Sequence, residues 1–127
     1  MTTDPPPDRG TNLAVLRGTI SADPVRRELP AGGVVVQFDV ATPVRDGDRT
    51  SAHSTPVAWY DPPASADGLT TGDEVVVVGS VRRRFFRVGG ATQSRTEVRA
   101  DRVLAARRRR QVATALAEVT RVLTDSG

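Results

Sequence analysis

The sequence predicts an all-β fold, a five-stranded OB-fold Greek-key barrel, followed by a C-terminal amphipathic helix. Short strand-like segments are separated by turn residues, and the stretch between the third and fourth has room for only one or two helical turns. Glycines such as Gly18 fall inside strands, where a small barrel bends. After Leu104 the apolar period changes from that of a strand to that of a helix. Another small β-barrel or a β-sandwich is the alternative architecture.

The five predicted strands begin at residue 12. The first is NLAVLRGTI, which continues as the more exposed PVRREL up to the turn PAGG. The second, VVVQFDVAT, alternates with a period of two, so one face is directed to a core. The third is STPVAWYD, in which Pro56 requires a sheet edge or a bulge because proline lacks an N–H group. EVVVVGSVRRRFF and TEVRADRVL complete the barrel, joined by a hairpin loop, RVGGATQSR, in which Gly89 and Gly90 suit positive φ.

Three segments follow from this pattern: a disordered arm over residues 1–10, a barrel domain over 11–104 and a helical extension over 105–127. The arm is rich in proline and aspartate and has nothing to bury. The extension carries a narrow apolar stripe, formed by Val112, Leu116, Val119 and Leu123. A helix with so narrow a stripe is marginal alone. We therefore expect it to pack on the same helix of a second subunit or, as the alternative, on its own barrel.

Composition argues against a metal site, a cofactor and catalysis. The chain has no cysteine and one histidine, His53, which leaves no set of side chains for a transition metal. A glycine-rich phosphate loop and a nucleophile–base arrangement are also missing. We therefore expect no cofactor, no metal and no enzymatic activity. Because no apolar run is long enough to cross a bilayer and the N-terminus lacks the apolar stretch of a secretory signal, we expect a cytoplasmic protein.

Charge is unevenly distributed along the chain. All 18 basic residues are arginine, and the formal net charge is +3. Residues 1–80 contain 6 arginines and 11 acidic residues, whereas residues 81–127 contain 12 arginines and 4 acidic residues. Such asymmetry is typical of a surface that binds a polyanion.

The end of the fourth strand carries the main candidate site. Its residues are Arg82, Arg83, Arg84, Phe85, Phe86 and Arg87. Side chains alternate along a strand, so Arg82, Arg84 and Phe86 share one face and the other three share the opposite face. Cations that follow phosphates beside aromatic rings that stack on bases are typical of proteins that bind single-stranded nucleic acid. Alternatively, Phe85 plugs the barrel and the arginines are a hydrated rim.

Further candidates lie on and before the third strand. Trp59 is the better second platform for a base, since only one of Trp59 and its neighbour Tyr60 can point into the core. His53 on the same strand could stack on a base or contact a phosphate. Arg45 is the first residue of the predicted turn RDGD and Arg49 follows it directly; both are weaker candidates for phosphate contacts.

The order of these motifs resembles the bacterial single-stranded DNA-binding protein family. The similarity covers about residues 12–104 and depends on the first-strand pattern N…G.I..DP..R, on Phe38 followed by AT, and on GDEVVVVGSVR. It implies an OB-fold homo-oligomer, a tetramer or dimer, that binds single-stranded DNA without sequence preference in replication, recombination or repair at the nucleoid. By position, the resemblance assigns base stacking to Trp59 and Phe86, and an upstream aromatic site to His53.

The chain departs from this family in two places. The family's aromatic at the end of the second strand has no counterpart, because Val44 lies there. The family's flexible linker and acidic tail are missing, so the chain resembles a tail-less actinobacterial-type paralogue, and recruitment of repair enzymes through an acidic tail is not expected. Two other functions remain open: an OB-fold assembly subunit that docks a protein partner, and single-stranded RNA binding.

Overall fold

The computed structural model describes residues 10–124, which form six strands, a short 3₁₀ helix and one α-helix. The strands are β1 (Ala14–Ile20), β2 (Val25–Glu28), β3 (Val34–Asp46), β4 (Arg49–Tyr60), β5 (Glu74–Val88) and β6 (Ala91–Ala105). The 3₁₀ helix (Ala64–Gly68) lies between β4 and β5, and α1 (Arg109–Thr124) follows β6. Residues 1–9 of the predicted N-terminal arm lie outside the described part of the chain.

The strands close into a barrel, as predicted. Their order is β1-β5-β6-β4-β3-β2, and the end of β1 also pairs with β3. The predicted first strand is interrupted in the structure and forms β1 and β2. Together these two segments take the place of the first strand of the five-stranded OB-fold. Gly18 allows the closure, because a Cβ at this position would lie 2.3 Å from the carbonyl oxygen of Ala41 on β3. The bend expected at Gly18 is therefore required by close approach of two backbones.

Alternate residues of the strands fill the barrel. The buried cluster contains Ile20, Val36, Phe38, Val40, Val57, Trp59, Ala66, Val75, Val77, Val98 and Ala100. Valine predominates because a β-branched side chain fits the pleated surface of a sheet. Burial of this cluster is the main stabilising contribution to the barrel.

Two hairpins extend beyond the barrel as two-stranded arms. β4 pairs with β6 only at Val57 and Ala58, and β1 pairs with β5 only as far as Gly79. Residues 42–53 (the β3–β4 arm) and residues 82–97 (the β5–β6 arm) therefore pair within their own hairpins. β6 does not pair with β4 at Pro56, so this residue lies at a sheet edge, as a proline in a strand requires.

The turn of the β5–β6 arm is tighter than the predicted loop. The sequence predicts a loop over residues 87–95, but both strands continue up to Gly89 and Gly90. Their φ values of 57° and 84° match the positive φ expected of this pair, and a two-residue turn with this backbone is favoured in hairpins. The polar stretch after the turn is therefore strand.

The helix α1 packs on its own barrel, the second of the two arrangements considered above. Val112 and Ala115 are buried against Val76 and Val78, which lie on the outer face of β5. Arg102 of β6 also forms an ion pair with Glu118. Two residues of the predicted stripe, Leu116 and Leu123, are exposed. The contact face is rotated relative to the predicted stripe because the small side chain of Ala115 permits close approach. Among residues 10–124, no helix is long and apolar enough to cross a membrane.

Asp23 joins the loop before β2 to the loop before β5. Its Oδ1 atom accepts hydrogen bonds from the Thr71 hydroxyl at 2.7 Å, the Thr71 backbone N–H at 3.0 Å and the Thr70 hydroxyl at 3.2 Å. The bonds from Thr71, and then that from Thr70, hold the pKa of Asp23 below its ordinary value because they favour the charged carboxylate.

This lowered pKa predicts a stability that depends on pH. Asp23 contributes fully above its unfolded pKa of about 4, and the contribution is lost as the pH falls through the lower folded value. We expect the wild-type chain to lose more stability than Asp23→Asn as the pH is lowered below about 4. Urea denaturation at a series of acidic pH values measures this difference. Parallel stability curves for the two proteins would contradict the prediction.

Candidate nucleic-acid interface

The β5–β6 arm presents a strongly basic surface. It carries five exposed arginines and one acidic residue, Glu97; the arginines are Arg82, Arg83, Arg84, Arg87 and Arg95. This composition comes from a strand that leaves the core at Gly79, so its later positions need not be apolar. Past the barrel, residues 82–96 are exposed on both faces of the ribbon, whereas Glu97 at its base is buried.

The guanidinium groups of this arm are largely free of carboxylate partners. Within residues 10–124, no carboxylate lies within ion-pair distance of Arg82, Arg83, Arg84 or Arg87. Arg82 donates Nε–H to the Ser80 hydroxyl at 3.0 Å, and Arg87 donates to the Gly90 carbonyl at 3.2 Å. Their positive charge is therefore not neutralised inside the described chain.

One pair of arginines faces across the arm. Arg84 of β5 lies directly opposite Arg95 of β6. Like charges in this position destabilise a hairpin. Arg95 reaches Asp39 at 3.7 Å, but this pair is exposed and contributes little. An anion bound between Arg84 and Arg95 would relieve the repulsion, so the arrangement favours a polyanionic ligand.

The outer face of the arm continues the outer surface of the barrel. It is formed by Arg82, Arg84 and Phe86 of β5, which lie opposite Glu97, Arg95 and Gln93 of β6 respectively. Closer to the barrel, Arg99 and Tyr60 lie on the same surface, with the guanidinium carbon 4.4 Å from the centre of the tyrosine ring. Arginine stacked on an aromatic ring is a cation–π contact. The outer face therefore presents guanidinium groups and aromatic rings in one continuous strip.

The two phenylalanines point to opposite faces of the arm and are both accessible. Phe85 is 66% exposed and Phe86 is 36% exposed. Phe85 therefore does not plug the barrel, which removes the alternative explanation for it. It lies with Arg83 and Arg87 on the inner face of the arm. Both rings are available for contact with a base.

Trp59 corrects one prediction, because it is a core residue. Its side chain is only 6% exposed and belongs to the buried cluster of the barrel. Alternation along β4 places Trp59 on the same side as buried Val57, and directs Tyr60 outward. Trp59 is therefore not an open stacking platform. Tyr60 is the outward aromatic residue that sequence reasoning missed. The signal for it was the alternation of side chains along the strand, which places Tyr60 on the face opposite Val57.

His53, Arg45 and Arg49 lie on the β3–β4 arm and not on the arginine-rich one. All three are exposed, and His53 Nε2 lies 3.3 Å from the Ser51 hydroxyl oxygen. Arg49 pairs across the strands with Asp46. The two arginines are balanced by Asp46 and Asp48, so the arginines and carboxylates of this arm give no net charge. The structure thus divides the exposed predicted residues between two arms of different charge.

Comparison with known proteins agrees with this architecture. The single-stranded DNA-binding protein of Mycolicibacterium smegmatis is 29% identical over 109 residues, which cover 74% of this chain and 63% of that protein. The chain thus spans less than two thirds of this curated relative. A chain from the Plasmodium falciparum SSB complex with ssDNA has the same fold, with a TM-score of 0.66 and 20% identity over 76% of this chain and 95% of that one.

A family-level match extends over the whole barrel. Residues 11–106 match the single-strand binding protein family, a range that begins before β1 and ends just after β6. The resemblance inferred from the first, second and fourth strands is thereby confirmed. The closed barrel, its two arms and this match together show that the chain belongs to the single-strand binding protein family.

Proposed function

We propose that this protein binds single-stranded DNA, without catalysis and largely independently of sequence, with the β5–β6 arm as its main contact surface. One observation carries the proposal: exposed arginines without carboxylate partners lie beside accessible phenylalanines on a single projecting hairpin. The two similar proteins, a single-stranded DNA-binding protein and an SSB in complex with ssDNA, support the choice of ligand.

The outer face of the arm suggests how a strand would bind. Arg82, Arg84 and Arg95 would pair with phosphates, and Phe86 would stack on a base. None of these contacts reads the edge of a base, so they do not depend on sequence. Arg83, Phe85 and Arg87 on the inner face could contact the strand as it passes around the arm. Tyr60 and Arg99 would extend the path toward the barrel.

A homo-oligomer, a dimer or a tetramer, is part of the same proposal. The first half of β1 pairs only with β5, so its other edge carries backbone groups open to pairing, and Val15 is 44% exposed there. An exposed edge of this kind can accept a strand from another subunit. A role in DNA replication, recombination or repair, and a cytoplasmic location at the nucleoid, complete the proposal.

Fluorescence anisotropy with labelled oligo(dT) tests the function. We expect binding that weakens as salt increases and that is tighter than binding to duplex DNA of equal length, because a duplex buries its base faces. Oligo(U) of equal length tests the RNA alternative, and light scattering gives the subunit number. No binding to oligo(dT) at low salt would contradict the proposal and favour an assembly subunit that docks a protein.

A further inference from the structure

A cavity of about 480 Å³ lies at the end of the β5–β6 hairpin opposite the arm. Its apolar wall is formed by Trp59, Leu69 and Val103, and its polar rim includes Arg107, Arg108 and Gln111. Pockets that hold small ligands are typically about 300–1,000 Å³. The cavity is therefore large enough for a ligand and is separate from the surface described above.

The two arginines at the rim have no structural role that the described chain reveals. Arg107 and Arg108 are exposed, and among residues 10–124 no carboxylate lies within ion-pair distance of either. They also immediately precede α1, where the helix dipole disfavours positive charge. Their charge therefore does not stabilise the helix, and it remains available to an anion.

Other lining groups favour a ligand with both an apolar and a hydrogen-bonding part. The single acidic residue on the lining, Asp73, accepts a hydrogen bond from the backbone N–H of Thr70 at 3.0 Å. Gln111 and Ser65 can each donate and accept hydrogen bonds. A flat heteroaromatic group would contact the apolar wall and satisfy such partners at its edge, and an attached anion would meet Arg107 and Arg108.

We propose that this cavity binds one nucleotide, with its phosphate on Arg107 and Arg108 and its base against the wall formed by Trp59 and Leu69. Trp59 lines the cavity but is only 6% exposed, so the base would contact the small accessible part of the indole and would not stack on its face. The nucleotide could be free, or it could be part of a bound strand, in which case the site extends the proposed function to a second contact point.

The single tryptophan provides a direct test. Its indole N–H gives one signal in a proton–nitrogen correlation spectrum of the full chain, which is titrated with 5′-dTMP, thymidine or inorganic phosphate. We expect 5′-dTMP to shift this signal with saturation, and Arg107→Ala/Arg108→Ala to weaken the affinity about tenfold or more, because charge-assisted hydrogen bonds are lost. The control variant Arg27→Ala/Arg121→Ala removes the same charge elsewhere and should respond as wild type.

Three results would overturn the proposal: no shift with 5′-dTMP, an equal response in Arg107→Ala/Arg108→Ala, or an equal shift with inorganic phosphate alone. Oligo(dT) anisotropy on the same samples separates this site from the arm. If oligo(dT) binds but 5′-dTMP leaves Trp59 unchanged, the cavity proposal fails and the proposed function stands. If 5′-dTMP binds but oligo(dT) does not, the cavity is a site for free nucleotides and the proposed function fails.

Discussion

Replacing Arg82 and Arg84 by alanine is expected to weaken oligo(dT) binding and to flatten its dependence on salt. Both side chains lie on the outer face of the β5–β6 arm and have no carboxylate partner in residues 10–124. Each phosphate contact on a single strand contributes about 0.7 to the slope of log K against log salt, so losing two should reduce the slope by about 1.4. Affinity at moderate salt should fall about tenfold or more.

A matched control separates this effect from the change in net charge. Arg27→Ala/Arg121→Ala also removes two positive charges, from β2 and from the last turn of α1. Its salt slope should remain close to that of the wild type, because neither arginine lies on the arm. Anisotropy titrations at four or more salt concentrations measure the slopes. Equal slopes for the arm variant and the wild type would show that the phosphates do not contact Arg82 and Arg84.

Replacing Phe86 by alanine should weaken oligo(dT) binding by about 1–3 kcal/mol, the usual contribution of one stacked base. Phe86 is partly exposed and lies on the outer face with Arg84. It belongs to neither buried cluster, so its removal should leave the core of the barrel intact. Phe86→Tyr should retain most of the affinity, because the ring is kept. Unfolding curves for each variant establish that the barrel is intact.

Two neighbouring residues make the stacking test specific. Val88→Ala removes exposed apolar surface from the same face of the arm without removing a ring, and should change affinity little. Phe85→Ala removes a ring from the opposite face, and a smaller loss there than for Phe86→Ala is expected. If Phe86→Ala remains folded and binds oligo(dT) as tightly as the wild type, the proposal that a base stacks on Phe86 is wrong.

The barrel could be predicted from sequence because its core residues are periodic. Alternation in β3, the bend at Gly18 and the glycine pair at 89 and 90 each corresponds to an observed feature. The length of the arms could not be predicted, because a two-stranded ribbon outside the barrel has no buried face. Residues 42–53 and 91–97 are mostly polar, and periodicity reveals a strand only where one face is apolar.

The arm residues were accessible to sequence reasoning, whereas Trp59 and the helix were not. Alternation alone assigns Arg82, Arg84 and Phe86 to one face, and the register confirms that assignment. Whether Trp59 or Tyr60 is buried depends on which of them lies on the core side of β4. The resemblance to the family favoured Trp59 as the exposed residue. For α1, the contact face includes Ala115, whose small side chain carries a weak hydrophobic signal.

The central claim is that single-stranded DNA contacts the β5–β6 arm, and photochemical cross-linking tests it most directly. Oligo(dT) is irradiated in complex with the full protein, and the modified peptides are identified by mass spectrometry. We predict adducts on residues 82–97, with Phe86 as the main site. Adducts confined to other parts of the chain, with none on residues 82–97, would contradict the claim.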